Sequence, residues 1–195
     1  MQSENDRSQE KICVILVTSN RHKFEEISAM FRIAEIPLEW KHVKYEEIQE
    51  DTTEMISYRS CVEVRKDLHD DFFLEDTGLY VPALHGFPGP YSAYVNNTIG
   101  YAGLQRLVDG KERTAYFKTV ISLSMNGAIM QFGGVLKGAI SDQAKGSTGF
   151  GFDPVFIPDG EVLTLAEMDV ETKNRLSHRG RAVSALIKYL ISLKF

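Results

Sequence analysis

No apolar stretch in this sequence approaches the roughly 18 residues needed to span a bilayer, and no apolar segment follows a basic start as it would in a signal peptide. Cysteine is scarce, with only Cys13 and Cys61. One falls in a predicted strand and the other in a predicted helix. Both read as buried free thiols of a reducing compartment, pairing only if the fold brings them together, and the cytoplasm is the expected location. Basic charge is also short. A formal net charge of −5 denies the chain the extended basic face that a nucleic-acid polymer requires. A few lysines and arginines gathered in one cleft would still create a local positive potential for a small phosphorylated ligand. Neither Gly-x4-Gly-Lys-Ser/Thr nor Gly-x-Gly-x-x-Gly occurs, which excludes a Walker loop and a dinucleotide fingerprint. His178 has no second His or Cys at metal-ligand spacing, which argues against zinc.

What is present is enough for one core. At 195 residues and 43% hydrophobic, the chain is expected to fold as a single α/β domain over 11–195. Residues 1–10 are polar, lack periodicity and read as a frayed leader. The apolar run Ile12–Val17 predicts a buried strand, and the pattern Phe24, Ile27, Met30, Phe31 predicts a helix after it, capped by Ser19 or Asn20. Leu38–Val43 alternates as a second strand, and an acidic connection follows it. The pattern then predicts a helix over Thr53–Leu68 capped by Thr53, and a short strand, Phe72–Leu74, opening into a loop at Glu75-Asp76-Thr77-Gly78. Ile99–Val108 reads as one helix. Ala115–Met125 and Ala128–Val135, joined by Asn126-Gly127, read as a long hairpin, because both turn positions need positive φ. Val183, Leu186, Leu190 and Leu193 mark a C-terminal helix. Early βα units followed by a hairpin predict a mixed sheet flanked by helices.

Four segments can carry chemistry. The turn Thr18-Ser19-Asn20-Arg21-His22-Lys23 leads a strand into a helix and aims backbone N–H groups and a lysine at one point, a favourable place for an anion. The bland alternative is an ordinary capped turn. Glu75-Asp76 at a strand exit sets two repelling carboxylates together, and with the acids around Glu47 they supply the one or two carboxylates by which Mg²⁺ is typically held beside phosphates. Phe150-Gly151-Phe152-Asp153 joins flexible glycine, an aromatic face that can stack on a base and an acid that can accept from a ring N–H. Further on, Lys173 and Ser177-His178-Arg179 set basic residues at a helix N-terminus, where the dipole favours acids, and this mismatch hints at an anionic or carbonyl-bearing ligand.

Taken in order with Glu75-Asp76-Thr77-Gly78-Leu79 and Gly86-Phe87-Pro88-Gly89-Pro90-Tyr91-Ser92, these segments resemble the inosine-triphosphate pyrophosphatase family over about 11–193. The resemblance implies an elongated mixed sheet flanked by helices, two lobes around a central nucleotide cleft, and a homodimer. It implies Mg²⁺-dependent hydrolysis of non-canonical purine nucleoside triphosphates (ITP, dITP, XTP) to the monophosphate and pyrophosphate. By the same resemblance the Thr18–Lys23 turn, comprising Thr18, Ser19, Asn20, Arg21, His22 and Lys23, holds the triphosphate. Glu47 is the acidic metal position, with Glu46 or Glu50 as alternatives. Asp76 binds metal and accepts a proton, and Thr77 contacts substrate. Phe150 stacks on the base beside Gly151 and Phe152; Asp153, His178 and Arg179 read its edge; and Lys173 returns to the phosphates or the base. Arg179 has only donors, which suits the 6-oxo group of inosine and opposes the 6-amino group of adenosine. A catalytically silent nucleotide binder and a pyrophosphatase for modified pyrimidine nucleotides are the alternatives.

Overall fold

Hydrophobic periodicity places the first layer of the molecule. A computed structural model describes residues 13–43, 45 and 49–193; the polar leader and the candidate metal residues Glu46 and Glu47 lie outside the described residues. Strand β1 (Val14–Val17) is buried at every position, as expected of a parallel strand covered on both faces. Val14 and Leu16 pack with α1 (Arg21–Ile33) and α6 (His178–Ser192), whereas Ile15 and Val17 pack with Cys61 and Val64 of α2 (Thr53–Val64). The period-2 alternation of a strand thus feeds two cores from one apolar run.

One mixed sheet of seven strands runs β2-β1-β3-β5-β6-β7, with β4 (Pro88–Gly89) paired to β3. Strand β2 (Leu38–Lys41) and β3 (Phe72–Tyr80) lie parallel to β1. The hairpin is longer than the apolar pattern predicts: β5 (Thr114–Met125) and β6 (Ala128–Ile140) turn at Asn126 and Gly127, whose φ angles are +49° and +79°. Strand β7 (Phe156–Pro158) closes the far edge. A third core, around Leu79, Leu104, Phe117, Phe152 and Phe156, fills that half of the sheet. Among the described residues no helix is long and apolar enough to cross a membrane.

Several expectations are corrected. Strand β3 does not stop at Leu74 but continues through Glu75, Asp76 and Thr77 to Tyr80, because antiparallel pairing with β5 satisfies its backbone along the whole length. The helix expected over Ile99–Val108 is present as α4 (Gly100–Leu107), but a short helix that the pattern did not reveal, α3 (Ser92–Thr98), precedes it, the two meeting at Gly100 with φ +62°. Thr52, not Thr53, caps α2; the Thr53 hydroxyl instead meets the Tyr80 hydroxyl at 2.5 Å. Helix α5 (Val170–Leu176), which the periodicity did not reveal, is capped by Asp169. Cys61 is buried as expected, but Cys13 precedes the first buried residue of β1 and is exposed.

Candidate active site

The β1–α1 turn is built as a helix N-terminus. Asn20 is the N-cap, and its side-chain oxygen accepts from the backbone N–H of His22 and of Lys23. Its own N–H donates to Thr18 Oγ1 at 3.1 Å. Ser19 and Arg21 are exposed, with Arg21 turned outward to Glu25. Lys23 turns inward, its Nζ 2.9 Å from Glu75 Oε1.

Strand geometry separates the two adjacent acids that the sequence sets together. Successive side chains of a strand point to opposite faces. Glu75 and Thr77 share the face of Phe73, which packs with α1 and α6, while Asp76 shares the face of Leu74, which packs with α2. The expected repulsion is thereby relieved, and Glu75 is neutralised instead. Its Oε1 takes Lys23 and, at 3.2 Å, Arg179 Nη2; its Oε2 accepts from the Thr77 hydroxyl at 2.7 Å. Burial alone would raise the Glu75 pKa, but Arg179 and Lys23 outweigh it and hold the carboxyl far below its usual range.

A residue that the motifs do not contain joins the rest. Glu26, buried on α1, reaches Lys173 Nζ at 2.5 Å with Oε1 and Arg179 Nη1 at 2.7 Å with Oε2. Lys173 also pairs with Asp153 Oδ2 at 2.7 Å, and that oxygen accepts from the Phe150 N–H at 2.7 Å. Asp153 therefore holds the Phe150 loop. Burial raises its pKa more than Lys173 lowers it. The sequence signal for Glu26 was faint: it stands three residues after Lys23, on the same helical face.

The mismatch between basic residues and the α6 dipole is resolved by burial and pairing. Ser177 caps α6 by accepting from the Gly180 N–H, and His178 and Arg179 occupy its first turn, as expected. His178 is buried, and desolvation followed by the adjacent Arg179 charge pushes its pKa well down, so it is neutral. Arg179 is held by Glu26 and Glu75, which leave Nη1 with a second N–H.

These groups meet at a cavity of about 230 Å³, lined by Asn20 and Lys23, by Asp76 and Thr77, and by Phe150–Asp153, Phe117, His178 and Arg179. Its other wall comes from Pro90 and Ser92, within the Gly86–Ser92 segment that carries part of the family resemblance, and from Ala93, Asn96 and Asn97, to which the sequence assigned no site role. The Phe150 ring is stacked with His22 at 5.5 Å, and Lys173 Nζ and Arg179 Cζ lie 5.2 and 5.3 Å from its centroid. Phe152 is buried in the core behind. A larger hollow of about 310 Å³, beside Arg65, His69, Asp71 and Asn126 at the hairpin end, contains none of the predicted site residues. Among the described residues no group of three or more His, Cys, Asp or Glu could hold a metal. The oxygen donor set at the cavity, Asp76 beside space for a substrate, nonetheless fits Mg²⁺, which takes one or two carboxylates and completes its shell from phosphate and water.

Comparison with known proteins gives one answer throughout. A model of the Ham1 family matches residues 14–189. The dITP/XTP pyrophosphatase of Thermococcus kodakarensis is 46% identical over 175 residues, spanning 89% of this chain and 95% of that protein. That of Pyrococcus horikoshii is 40% identical over 184 residues, spanning 93% and 99%. Among solved structures, a HAM1 protein from Coxiella burnetii has a TM-score of 0.82 at 26% identity, covering 93% of this chain and 99% of that one. The Ham1 protein of Staphylococcus aureus gives 0.78 at 27%, with the same coverage.

Proposed function

The chain belongs to the Ham1 family, and on that premise we propose that it hydrolyses deaminated purine nucleoside triphosphates (ITP, dITP and XTP) to the monophosphate and pyrophosphate. The observation that carries this reading is that one cavity takes in Lys23 with the α1 N-terminus, Asp76, and the Phe150–His178–Arg179 group. The first of these suits a polyphosphate, the last a purine, and Asp76 supplies the reactive carboxylate.

Each residue then has a task. The positive end of the α1 dipole and the Lys23 ammonium attract the phosphate oxygens. The purine stacks on Phe150 in place of the His22 imidazole. Arg179 turns its free Nη1 proton to the 6-oxo group, while Glu26 and Glu75 fix the guanidinium plane. Thr77 lines the cavity from β3, and Lys173 keeps Asp153 and the Phe150 loop in place. Water adds across the α–β phosphoanhydride, pyrophosphate leaves, and the water's proton passes to the Asp76 carboxylate. Mg²⁺, held by Asp76 with Glu47 from outside the described residues, supplies positive charge against the phosphate oxygens when bound. A homodimer acting on free nucleotides in the cytoplasm completes the proposal, supported by the family resemblance.

The test is pyrophosphate release from ITP, XTP, dITP, GTP and ATP, with and without Mg²⁺, and identification of the nucleotide product. ITP and XTP should yield monophosphate in a metal-dependent reaction with ATP nearly inert, and Asp76→Asn should abolish turnover while ITP binding survives. Binding of ITP without turnover by the wild type would make the protein a silent nucleotide binder, and a diphosphate product would end the α–β mechanism.

A further inference from the structure

Behind His178 runs a chain of two hydroxyls, one of which, Thr119, has no task in the catalytic scheme. His178 Nδ1 lies 2.6 Å from Thr119 Oγ1, Thr119 Oγ1 lies 2.5 Å from Thr77 Oγ1, and Thr77 Oγ1 lies 2.7 Å from Glu75 Oε2. Thr77 and Thr119 are directly opposite in the β3–β5 register, so their side chains share one face. The imidazole is clamped against this chain by the Phe117 ring, stacked at 4.6 Å.

The direction of every bond in the chain is determined. Glu75, paired through Oε1 with Lys23 and Arg179, is a carboxylate and can only accept. Thr77 has one hydroxyl proton and must give it to Oε2. Its lone pairs then face Arg179 Nη2 at 3.5 Å and Thr119, so Thr119 donates to Thr77. Thr119 has then spent its single proton and can only accept from the imidazole. His178 must carry its proton on Nδ1. The opposite direction would set two lone-pair oxygens 2.7 Å apart at Glu75.

We propose that Thr119 is a positioning residue for base selection: it fixes His178 as the Nδ1–H tautomer, so that Nε2 meets the purine as a hydrogen-bond acceptor. This rests on the purine-triphosphate reading above. A 6-oxopurine carries a proton on N1 beside its acceptor O6, whereas adenine has a bare N1 beside a 6-amino donor. Adjacent residues 178 and 179 then present an acceptor and a donor, the complement of the first edge and the reverse of the second. Burial and the neighbouring Arg179 charge keep His178 neutral, as this role requires. Guanine also carries N1–H, so the device selects against adenine and is blind to the 2-amino group.

The experiment pairs Thr119→Val, which removes the hydroxyl, with Thr119→Ser, which keeps it. Long-range ¹H–¹⁵N correlation spectra of the ¹⁵N-histidine-labelled protein, assigned with His178→Gln, report the tautomer without substrate. The wild type and Thr119→Ser should show a protonated Nδ1 and a bare Nε2, and Thr119→Val should lose that preference. In kinetics, Thr119→Val should lower kcat/KM for ITP and for GTP in parallel by about tenfold, the worth of one buried hydrogen bond. ATP should gain, because an Nε2–H imidazole can donate to the bare N1 of adenine, so the ITP/ATP ratio falls while ITP/GTP holds and Thr119→Ser stays near wild type. A wild-type spectrum with the proton on Nε2, or a Thr119→Val enzyme with an unchanged ITP/ATP ratio, overturns the proposal. A wild type that hydrolyses no purine triphosphate overturns the reading on which it rests, a failure that the spectrum separates from the first.

Discussion

Replacing Glu26 by glutamine removes one charge from a buried cluster that is otherwise balanced. Glu26, Glu75 and Asp153 face Lys23, Lys173 and Arg179, three carboxylates against three cations. The side chains of Lys173 and Arg179 are 5% and 3% exposed, so solvent cannot take over the charge that Glu26 leaves uncompensated. Breaking a buried pair from one side costs about 3–5 kcal/mol. Lys173 keeps Asp153 and Arg179 keeps Glu75, which places Glu26→Gln near the lower end, at about 3 kcal/mol. For a domain of this size that corresponds to a fall in Tm of about 6–12 °C. Urea unfolding at pH 7, followed by circular dichroism, measures it. The neighbouring Glu25→Gln is the control: Glu25 pairs with Arg21, 80% accessible, and at 3.8 Å with exposed His22, and such surface pairs contribute about 0.3–0.5 kcal/mol each. The pH dependence supplies a second check. Burial would raise the Glu26 pKa, but Arg179 and Lys173 hold it below its ordinary 4.5. Its contribution is therefore present above 4.5 and lost as pH falls toward the folded-state value, so the deficit of Glu26→Gln should narrow in acid. A variant within 1 kcal/mol of wild type at pH 7, or a deficit that widens in acid, would refute the balanced-cluster argument.

Two further outcomes follow from the same region. His178 has its pKa pushed well below the ordinary 6.5 by burial and by Arg179, so below pH 6.5 the unfolded chain takes up a proton that the folded one refuses. Stability should fall as pH drops from 7 to 5 with a His178 contribution of up to about 1.4 kcal/mol per pH unit, and His178→Gln should remove that part of the slope in urea titrations. A Cβ at Gly180 would run into the Asn174 carbonyl, where α5 and α6 meet. Gly180→Ala should cost about 1–3 kcal/mol in urea unfolding and lower kcat/KM for ITP, because His178 and Arg179 stand in the same turn; an alanine variant of unchanged stability would show that the two helices can part without loss.

What the sequence determined by itself was local. The β1–α1 turn with Asn20 at its cap, the Asn126-Gly127 hairpin and the Ser177 cap of α6 are each written in a few contiguous residues, because caps and turns draw their hydrogen bonds from neighbours in the chain. The motifs that resemble the pyrophosphatase family were legible for the same reason: each is a short loop whose residue types suit a phosphate, a metal or a base. Tertiary structure decided what depends on register and on distant partners. The length of β3 rests on its pairing with β5, and that pairing splits Glu75 from Asp76 by the period of the strand, turning an apparent acidic pair into one buried structural carboxylate and one facing α2. Glu26 finds its cations 147 and 153 residues away, and Thr119 finds His178 59 residues away. No window along the chain contains these pairs, since a buried charge or hydroxyl is satisfied by whichever partner the folded core brings near it.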